Sequence, residues 1–268
     1  MAITAVLLDI DGTLTERGRP VPGAASTLAW LRRRGIAVRL LTNIDSRTPA
    51  TVHRELADLG IEVEPPMVFT PAAAARRFLE AQPSSRCHLL MSADLRAFFA
   101  AHDAGEAEAA FVLVGDCREV GGYAALNAAF RRLRQGAQLL ALQRGRFFLA
   151  PDGASLDTGA FVALLEYASG QTARAFGKPS ADFFAMALDD LGRTPGDTLV
   201  AGDDVTTDVA GALAVGARAV LVRTGKFAAG PEAAVTALAA AGGSVPVIDS
   251  IADLPGLIES LGEAGPGG

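Results

Sequence analysis

The chain has 268 residues, 50% of them hydrophobic, and a formal net charge of −6. That length supports one large core with a smaller satellite, so a two-domain chain or an inserted domain is expected. The acidic balance argues against nucleic acid or an anionic membrane surface as partner, because both select clustered Lys and Arg.

In chain order, residues 3–9 read as a buried strand whose end, VLLDIDGTL, places Asp9 and Asp11 before a glycine turn. Residues 23–34 read as a helix, 36–42 as a strand running into Thr42 and Asn43, and 49–59 as a helix. The segments CHLLM, FVLVG, YAALNAAFRRLRQ and AQLLAL then alternate strand-like and helix-like without acid-ended strands. They mark residues 83–172 as an inserted α/β domain, entered near Pro83-Ser84-Ser85 and left near Ser169-Gly170, inside a core of residues 1–82 and 173–268. The second half resumes with a strand at 173–176, a helix from Pro179, a strand at 198–201 before GDDVTTD, a helix from Thr207 and a strand at 219–222. Near-continuous apolar strands alternating with helices predict an α/β fold, a doubly wound parallel sheet. The Ala- and Gly-rich stretch 228–243 and the terminal GPGG read as loose and without chemistry.

Cys87 and Cys117 are too few for a disulfide framework, and neither has Arg six positions on, so the thiol phosphatase loop is missing. Free thiols fit a reducing cytoplasm. The start MAITAVLLDIDG has no basic opening or cleavable apolar run, and no window approaches about twenty apolar residues. An unexported cytoplasmic protein with no membrane partner is expected.

In an open parallel sheet the carboxyl ends of the strands face one crevice, where ligands bind. Four segments deliver polar residues there: Asp9 and Asp11, Thr42 and Asn43, Lys178, and Asp203 and Asp204 with Asp208. Were Asp9 and Asp203 about 4 Å apart, they would repel by roughly 4 kcal/mol at an effective dielectric near 20, so a cation is needed. All-oxygen ligands without His or Cys favour a hard ion, and Mg²⁺ is the expected one where phosphate is also bound. The chain contains only two lysines, Lys178 and Lys226, and otherwise uses Arg. A Lys kept against that bias suggests a compact three-donor point charge, and Pro179 as a first helical residue would put Lys178 where a helix N-terminus favours an anion. Thr42 and Asn43 add a hydroxyl and an amide for phosphoryl oxygens.

Taken together and in this order, DIDGT, LTN, GKP and GDDVTTD resemble the four motifs of the haloacid dehalogenase superfamily, over residues 3–227. The resemblance implies a Rossmann-like core with a cap and a Mg²⁺-dependent phosphatase for a small phosphorylated metabolite. Asp9 would be the nucleophile that forms an aspartyl-phosphate, and Asp11 the general acid and base. The Asp9 carboxylate, the Asp11 carbonyl and the Asp203 side chain would hold the metal, with Asp204 and Asp208 further out. Thr42, Asn43 and Lys178 would grip the phosphoryl group. Asp11 separates the chain from superfamily dehalogenases, which lack this second acid.

The long insertion between Asn43 and Lys178 resembles the type IIA capped branch. GRFF, LLEYASGQ, FGKPS, AGDDV and VRTGKF look most like the group that contains the phospholysine phosphohistidine inorganic pyrophosphate phosphatase. Members of that group often carry Ser or Asn at the second acid, so Asp11 supports ordinary ester hydrolysis, with pyrophosphate and phosphoramidates also open. Relatives of the nucleotide and glycolate phosphatases carry a TNPD-like segment where this chain has Leu142-Gln143-Arg144-Gly145, which leaves the substrate unassigned. Cap closure is expected to select it, and a homodimer through the inserted domain is the expected assembly.

Other readings stand beside these. Asp203-Asp204 could simply cap the following helix, and Asp208 could be a first-turn acid. Lys226 reads as a surface-loop lysine, Arg144 and Asp152 as ordinary exposed charges, and His53, His88 and His102, in no ligand spacing, as surface residues or partners in local hydrogen bonds. A phosphotransferase and a non-catalytic binding protein are the alternative functions. A signalling receiver is contradicted by the motif order, since it would carry adjacent acids after its first strand and no long insertion.

Overall fold

A computed structural model describes residues 2–150, 153–227 and 245–263. The loose stretch expected at 228–243, the terminal GPGG and Asp152 lie outside the described residues. The chain divides into two compact units, Met1–Thr42, Val52–Phe69 and Lys178–Gly268 in the first, and Asn43–Thr51 and Thr70–Gly177 in the second.

The first unit opens on β1 (Ala5–Asp9), continues through a short hairpin of β2 (Thr15–Glu16) and β3 (Arg19–Pro20), and then forms α1 (Ala24–Arg33) and β4 (Ala37–Leu41). The next helix, α2 (Pro49–Asp58), contains the unit boundary, and β5 (Val68–Phe69) follows it. In α1 the buried residues Ala24, Thr27, Leu28 and Leu31 recur at three- and four-residue steps, which gives one apolar face.

The second unit contains α3 (Pro71–Glu80), β6 (Cys87–Leu90), α4 (Ala93–Phe98), β7 (Phe111–Val114), α5 (Tyr123–Arg134) and β8 (Gln138–Ala141). A hairpin of β9 (Phe147–Ala150) and β10 (Gly153–Leu156), then α6 (Thr158–Ser169) and β11 (Arg174–Ala175), complete it. Its four strands order as β11-β8-β7-β6, all parallel. α3 starts on a Thr70 cap, whose hydroxyl accepts from the Ala73 N–H at 3.2 Å, with Pro71 in the first turn. α3 belongs to this unit through Phe78, whose ring lies 5.8 Å from Phe111 and 5.2 Å from Phe176. The strand expected in the core sheet at 173–176 pairs here instead, Arg174 with Leu140 and Ala175 with Ala141. A strand this short carries no periodic signal to say which sheet it joins. Cys87 and Cys117 are both buried and unpaired.

The chain returns to the first unit with α7 (Ala181–Leu191), β12 (Thr198–Gly202), a wide turn at Val205–Val209 leading into α8 (Ala210–Ala214), β13 (Arg218–Val222) and β14 (Val247–Ile248). A last helix spans Leu254–Glu263. The six strands order as β14-β13-β12-β1-β4-β5, all parallel. β1 and β12 are central and buried at every residue, which accounts for their unbroken apolar sequence. Phe183 on α7 stacks at 5.1 Å from Phe69 and 6.0 Å from Phe184, closing the core beneath the sheet. Each such buried ring contributes about 2–3 kcal/mol through area removed from water. Among the described residues no helix is long and apolar enough to cross a membrane.

Candidate active site

In-register parallel pairing aligns the strand ends of the first unit. Asp9 closes β1 opposite Leu41 of β4, Thr42 follows directly, and Asp203 follows the last residue of β12. Asp9, Thr42, Lys178, Asp203 and Asp208 are all at most 5% exposed. Lys178 Nζ donates to Asp9 Oδ1 at 2.5 Å and to Asp208 Oδ1 at 2.6 Å. One carboxylate oxygen from each of Asp9, Asp203 and Asp208 lies within 4.8 Å of the others.

Burial sets the electrostatics. It lifts Asp9 to about 6, with Lys178 opposing the rise and Asp203 reinforcing it. Burial likewise lifts Asp203 to about 6, against the N–H of Lys226 and with the nearby charge of Asp208. Asp208 also reaches about 6 through burial, eased by Lys178 and reinforced by Asp9. For Lys178 burial opposes the charge, but Asp208 and Asp9 outweigh it and hold the ammonium above its ordinary value. Three buried acids thus share one buried cation.

Two glycines shape the space around Asp203. Gly12 has φ +98°, and a Cβ there would sit 2.1 Å from Asp203 Oδ2; a Cβ on Gly225 (φ +57°) would meet the same oxygen at 2.1 Å. Side chains at either position would displace the carboxylate. Lys226 completes this wall: its N–H donates to Asp203 Oδ2 at 2.6 Å and its Nζ to Asp204 Oδ2 at 2.8 Å. Lys226 does lie on a surface loop, as its 72% side-chain exposure shows, but it is tied to the acidic loop. The bias against Lys that singled out Lys178 pointed to Lys226 as well.

Asp204 caps the turn that follows it, accepting from the N–H of Thr206 at 2.8 Å and its hydroxyl at 2.6 Å. Burial pushes its acidity down, yet the Lys226 and Thr206 bonds hold it at about 2. Asp11 is exposed, with its carboxylate 3.4 Å from the Thr15 hydroxyl. Pro179 is not a first helical residue: α7 begins at Ala181 with Ser180 as its cap, so the Lys178 ammonium owes its place to its two acids. Asn43 packs in the second unit, where a Cβ on Gly177 would come within 2.7 Å of its Oδ1. Arg144 pairs with Glu166 at 2.8 Å, as an ordinary exposed charge. A cleft of about 660 Å³ at the opposite end of β4, lined by Leu28, Val38, Met67 and Leu191 among others, contains none of these acids.

The donor set suits a hard divalent cation. It offers oxygens only, and Asp9 Oδ2 is buried without a hydrogen-bond partner. An acid cluster at the carboxyl edge of a parallel sheet, with a buried lysine, defines a protein of the doubly wound α/β type with its ligand site at that edge.

Comparison with known proteins gives the particular family. A model described as haloacid dehalogenase-like hydrolase matches residues 6–105, and one described as HAD-hydrolase-like matches residues 175–254. The phospholysine phosphohistidine inorganic pyrophosphate phosphatase of Xenopus laevis is 35% identical over 232 residues, covering 84% of this chain and 85% of that protein. The haloacid dehalogenase-like hydrolase domain-containing protein 2 of Bos taurus is 37% identical over 231 residues, covering 86% and 88%. Among solved structures, a p-nitrophenyl phosphatase from Archaeoglobus fulgidus shares the fold at a TM-score of 0.87 and 24% identity, covering 97% of this chain and 100% of that one. NagD from E. coli K-12 aligns at 0.80 and 25%, covering 94% and 98%. The chain belongs to the haloacid dehalogenase-like hydrolase family. It has the family's Rossmann-like core with an inserted α/β cap, stands in the type IIA capped branch, and is an enzyme of the HAD phosphatase type.

Proposed function

We propose that this protein is a Mg²⁺-dependent phosphatase that hydrolyses a small phosphorylated metabolite through an aspartyl-phosphate on Asp9. The observation that carries the reading is the buried Asp9 carboxylate, with Oδ1 held by Lys178 and Oδ2 left without a hydrogen-bond donor. One oxygen is fixed and neutralised, and the other is open to an electrophile or a cation.

The carboxylates of Asp9 and Asp203 and the carbonyl of Asp11 would hold Mg²⁺, with Asp208 and Asp204 supporting them. When bound, the ion supplies positive charge against the phosphoryl oxygens. Asp9 attacks phosphorus, forming the new P–O bond as the ester P–O bond breaks, and Asp11 gives its proton to the departing oxygen. Asp11, exposed to solvent, then takes a proton from water as that water attacks phosphorus and frees Asp9. Thr42, Asn43 and Lys178 bind the transferring group, which gains most from positioned donors and cations.

In the same reading the first unit is the catalytic core and the second is the cap that selects the substrate, with pyrophosphate and phosphoramidates as candidate substrates beside esters. The acidic net charge supports a small ligand rather than nucleic acid. The free thiols support a cytoplasmic location. A homodimer through the second unit, which exposes Tyr123 and Tyr167, completes the proposal, and sedimentation showing only monomer would remove it.

The test is phosphate release from p-nitrophenyl phosphate with and without Mg²⁺, for the natural protein and Asp9→Asn. Release that needs the ion and is lost in Asp9→Asn is expected. An unchanged rate in Asp9→Asn would overturn the mechanism.

A further inference from the structure

Asp45 is a buried carboxylate for which the chemistry above has no use. It is 5% exposed and lies two residues past Asn43, in the loop between β4 and α2. Its Oδ2 accepts from the hydroxyl of Thr158, itself 2% exposed, at 2.6 Å, and its backbone carbonyl accepts from the N–H of Asp116 beyond β7 at 3.3 Å. Gln143 is likewise buried, at 3% exposed. The same Gln143 donates to Asp157 Oδ1 at 2.7 Å, and that oxygen accepts from the Thr158 N–H at 2.8 Å to cap α6. The Asp45 carboxyl therefore ties the loop after β4 to the head of α6, and its backbone carbonyl ties the same loop to the β7 exit.

This loop carries Asn43. A Cβ on Gly177 would come within 2.7 Å of Asn43 Oδ1, 2.9 Å of the Leu142 carbonyl and 3.1 Å of Gln143 Cβ, so the amide and the β8 exit both border Gly177. The chain passes between its two units at four places, and two of them are Thr42–Asn43 and Gly177–Lys178. The segments that supply phosphoryl-binding groups are thus anchored in the second unit on one side of each crossing. The Asp45 network is an anchor of the first.

We propose that Asp45 is a positioning residue for the reaction: by accepting from the Thr158 hydroxyl it holds the loop that carries Asn43, and so fixes the Asn43 amide for the phosphoryl group. The proposal rests on the phosphatase reading above. Burial lifts Asp45 to about 7, despite the Thr158 bond and with Asp157 and Asp116 adding to the rise, so below that pH the side chain is a neutral acid that an asparagine imitates. What the lock needs is an acceptor for Thr158, not a charge.

The test is steady-state turnover of p-nitrophenyl phosphate with Mg²⁺ in slightly acid buffer, with near-ultraviolet circular dichroism to confirm folding. Asp45→Ala and Thr158→Val are each expected to lower kcat about ten-fold, because a small displacement of a positioned donor is felt in the transition state. KM should change less than about three-fold, and Asp45→Asn should keep kcat within about three-fold of the natural protein. In an Asn43→Ala background, Asp45→Ala should cost less than about two-fold more, because the two residues act as one unit. Full kcat in Asp45→Ala and Thr158→Val, or an undiminished loss in the Asn43→Ala background, would overturn the proposal. Should Asp45→Ala fail to fold, Thr158→Val and its combination with Asn43→Ala decide it. A natural protein that releases no phosphate would sink the phosphatase reading and this inference with it. Release abolished by Asp9→Asn but indifferent to Asp45 would sink this inference alone.

Discussion

Replacing Lys178 with Met removes the ammonium that bonds both Asp9 and Asp208 while keeping a similar apolar stem. Nζ sits 2.5 and 2.6 Å from the two carboxylates, inside a site where all three side chains are at most 6% exposed. At an effective dielectric near 20 and about 4 Å between charge centres, each pair is worth roughly 4 kcal/mol. The loss is smaller than the sum of two pairs, because Asp9 and Asp208 already titrate near 6 and take up protons once the ammonium is gone. Breaking a buried pair from one side typically costs about 3–5 kcal/mol, which for a chain of this size lowers Tm by roughly 10 °C. The pH dependence has a definite sign. Lys178 titrates above its ordinary value in the folded protein, so its contribution is fully present below about 10.5 and is constant between mildly acid and mildly alkaline buffer. In Lys178→Met the two acids have folded values still further above 3.8, so stability falls as pH rises and the deficit is larger in alkaline than in acid buffer. Trp30, the single tryptophan, lies in the first unit, so its fluorescence in chelator-treated protein follows the unfolding of that unit. A Tm unchanged in both buffers, or a deficit larger in acid, would refute this electrostatic account.

Gly225→Ala, with its Cβ driven onto Asp203 Oδ2, should raise the Mg²⁺ concentration for half-maximal turnover by about 10- to 100-fold, and an unchanged metal titration would show that Asp203 tolerates displacement. Asp45 titrates near 7 when folded against 3.8 when unfolded, so it should cost stability progressively as pH rises from about 4 to about 7, by roughly 4 kcal/mol in all. Asp45→Asn should flatten that part of the stability-pH curve in urea titrations; an identical slope would place the titration elsewhere. Phe183→Ala removes a fully buried ring against Phe69 and Phe184 and should destabilise the first unit by about 3–5 kcal/mol, read by Trp30 fluorescence in denaturant. A loss under about 1 kcal/mol would mean that the site collapses around the cavity.

Much of the fold was legible along the chain because burial on both faces leaves an unmistakable apolar run. Residues 6–9 and 198–201 lie in β1 and β12, the buried centre of the first sheet, and the four strand-like and helix-like segments of the insertion lie in β6, β7, α5 and β8. The polar residues at the ends of those runs were equally visible, since an acid after a strand built for burial has no packing reason to be there. The short pieces were not. Arg174–Ala175 is two residues long, and its sheet was decided by the hydrogen-bond partner that Leu140 and Ala141 supplied.

The sequence by itself determined the longer strands of the first sheet, the motif order and the acids that follow β1 and β12, because those depend on local burial and strand direction. Tertiary structure alone decided that Asp208 shares Lys178 with Asp9, that Lys226 and two glycines enclose Asp203, and that Asp45 is buried against Thr158. Each of these joins residues that are distant along the chain or lie in loops without a period. Only the packing that brings them within about 3 Å sets the dielectric and the partners on which their chemistry depends.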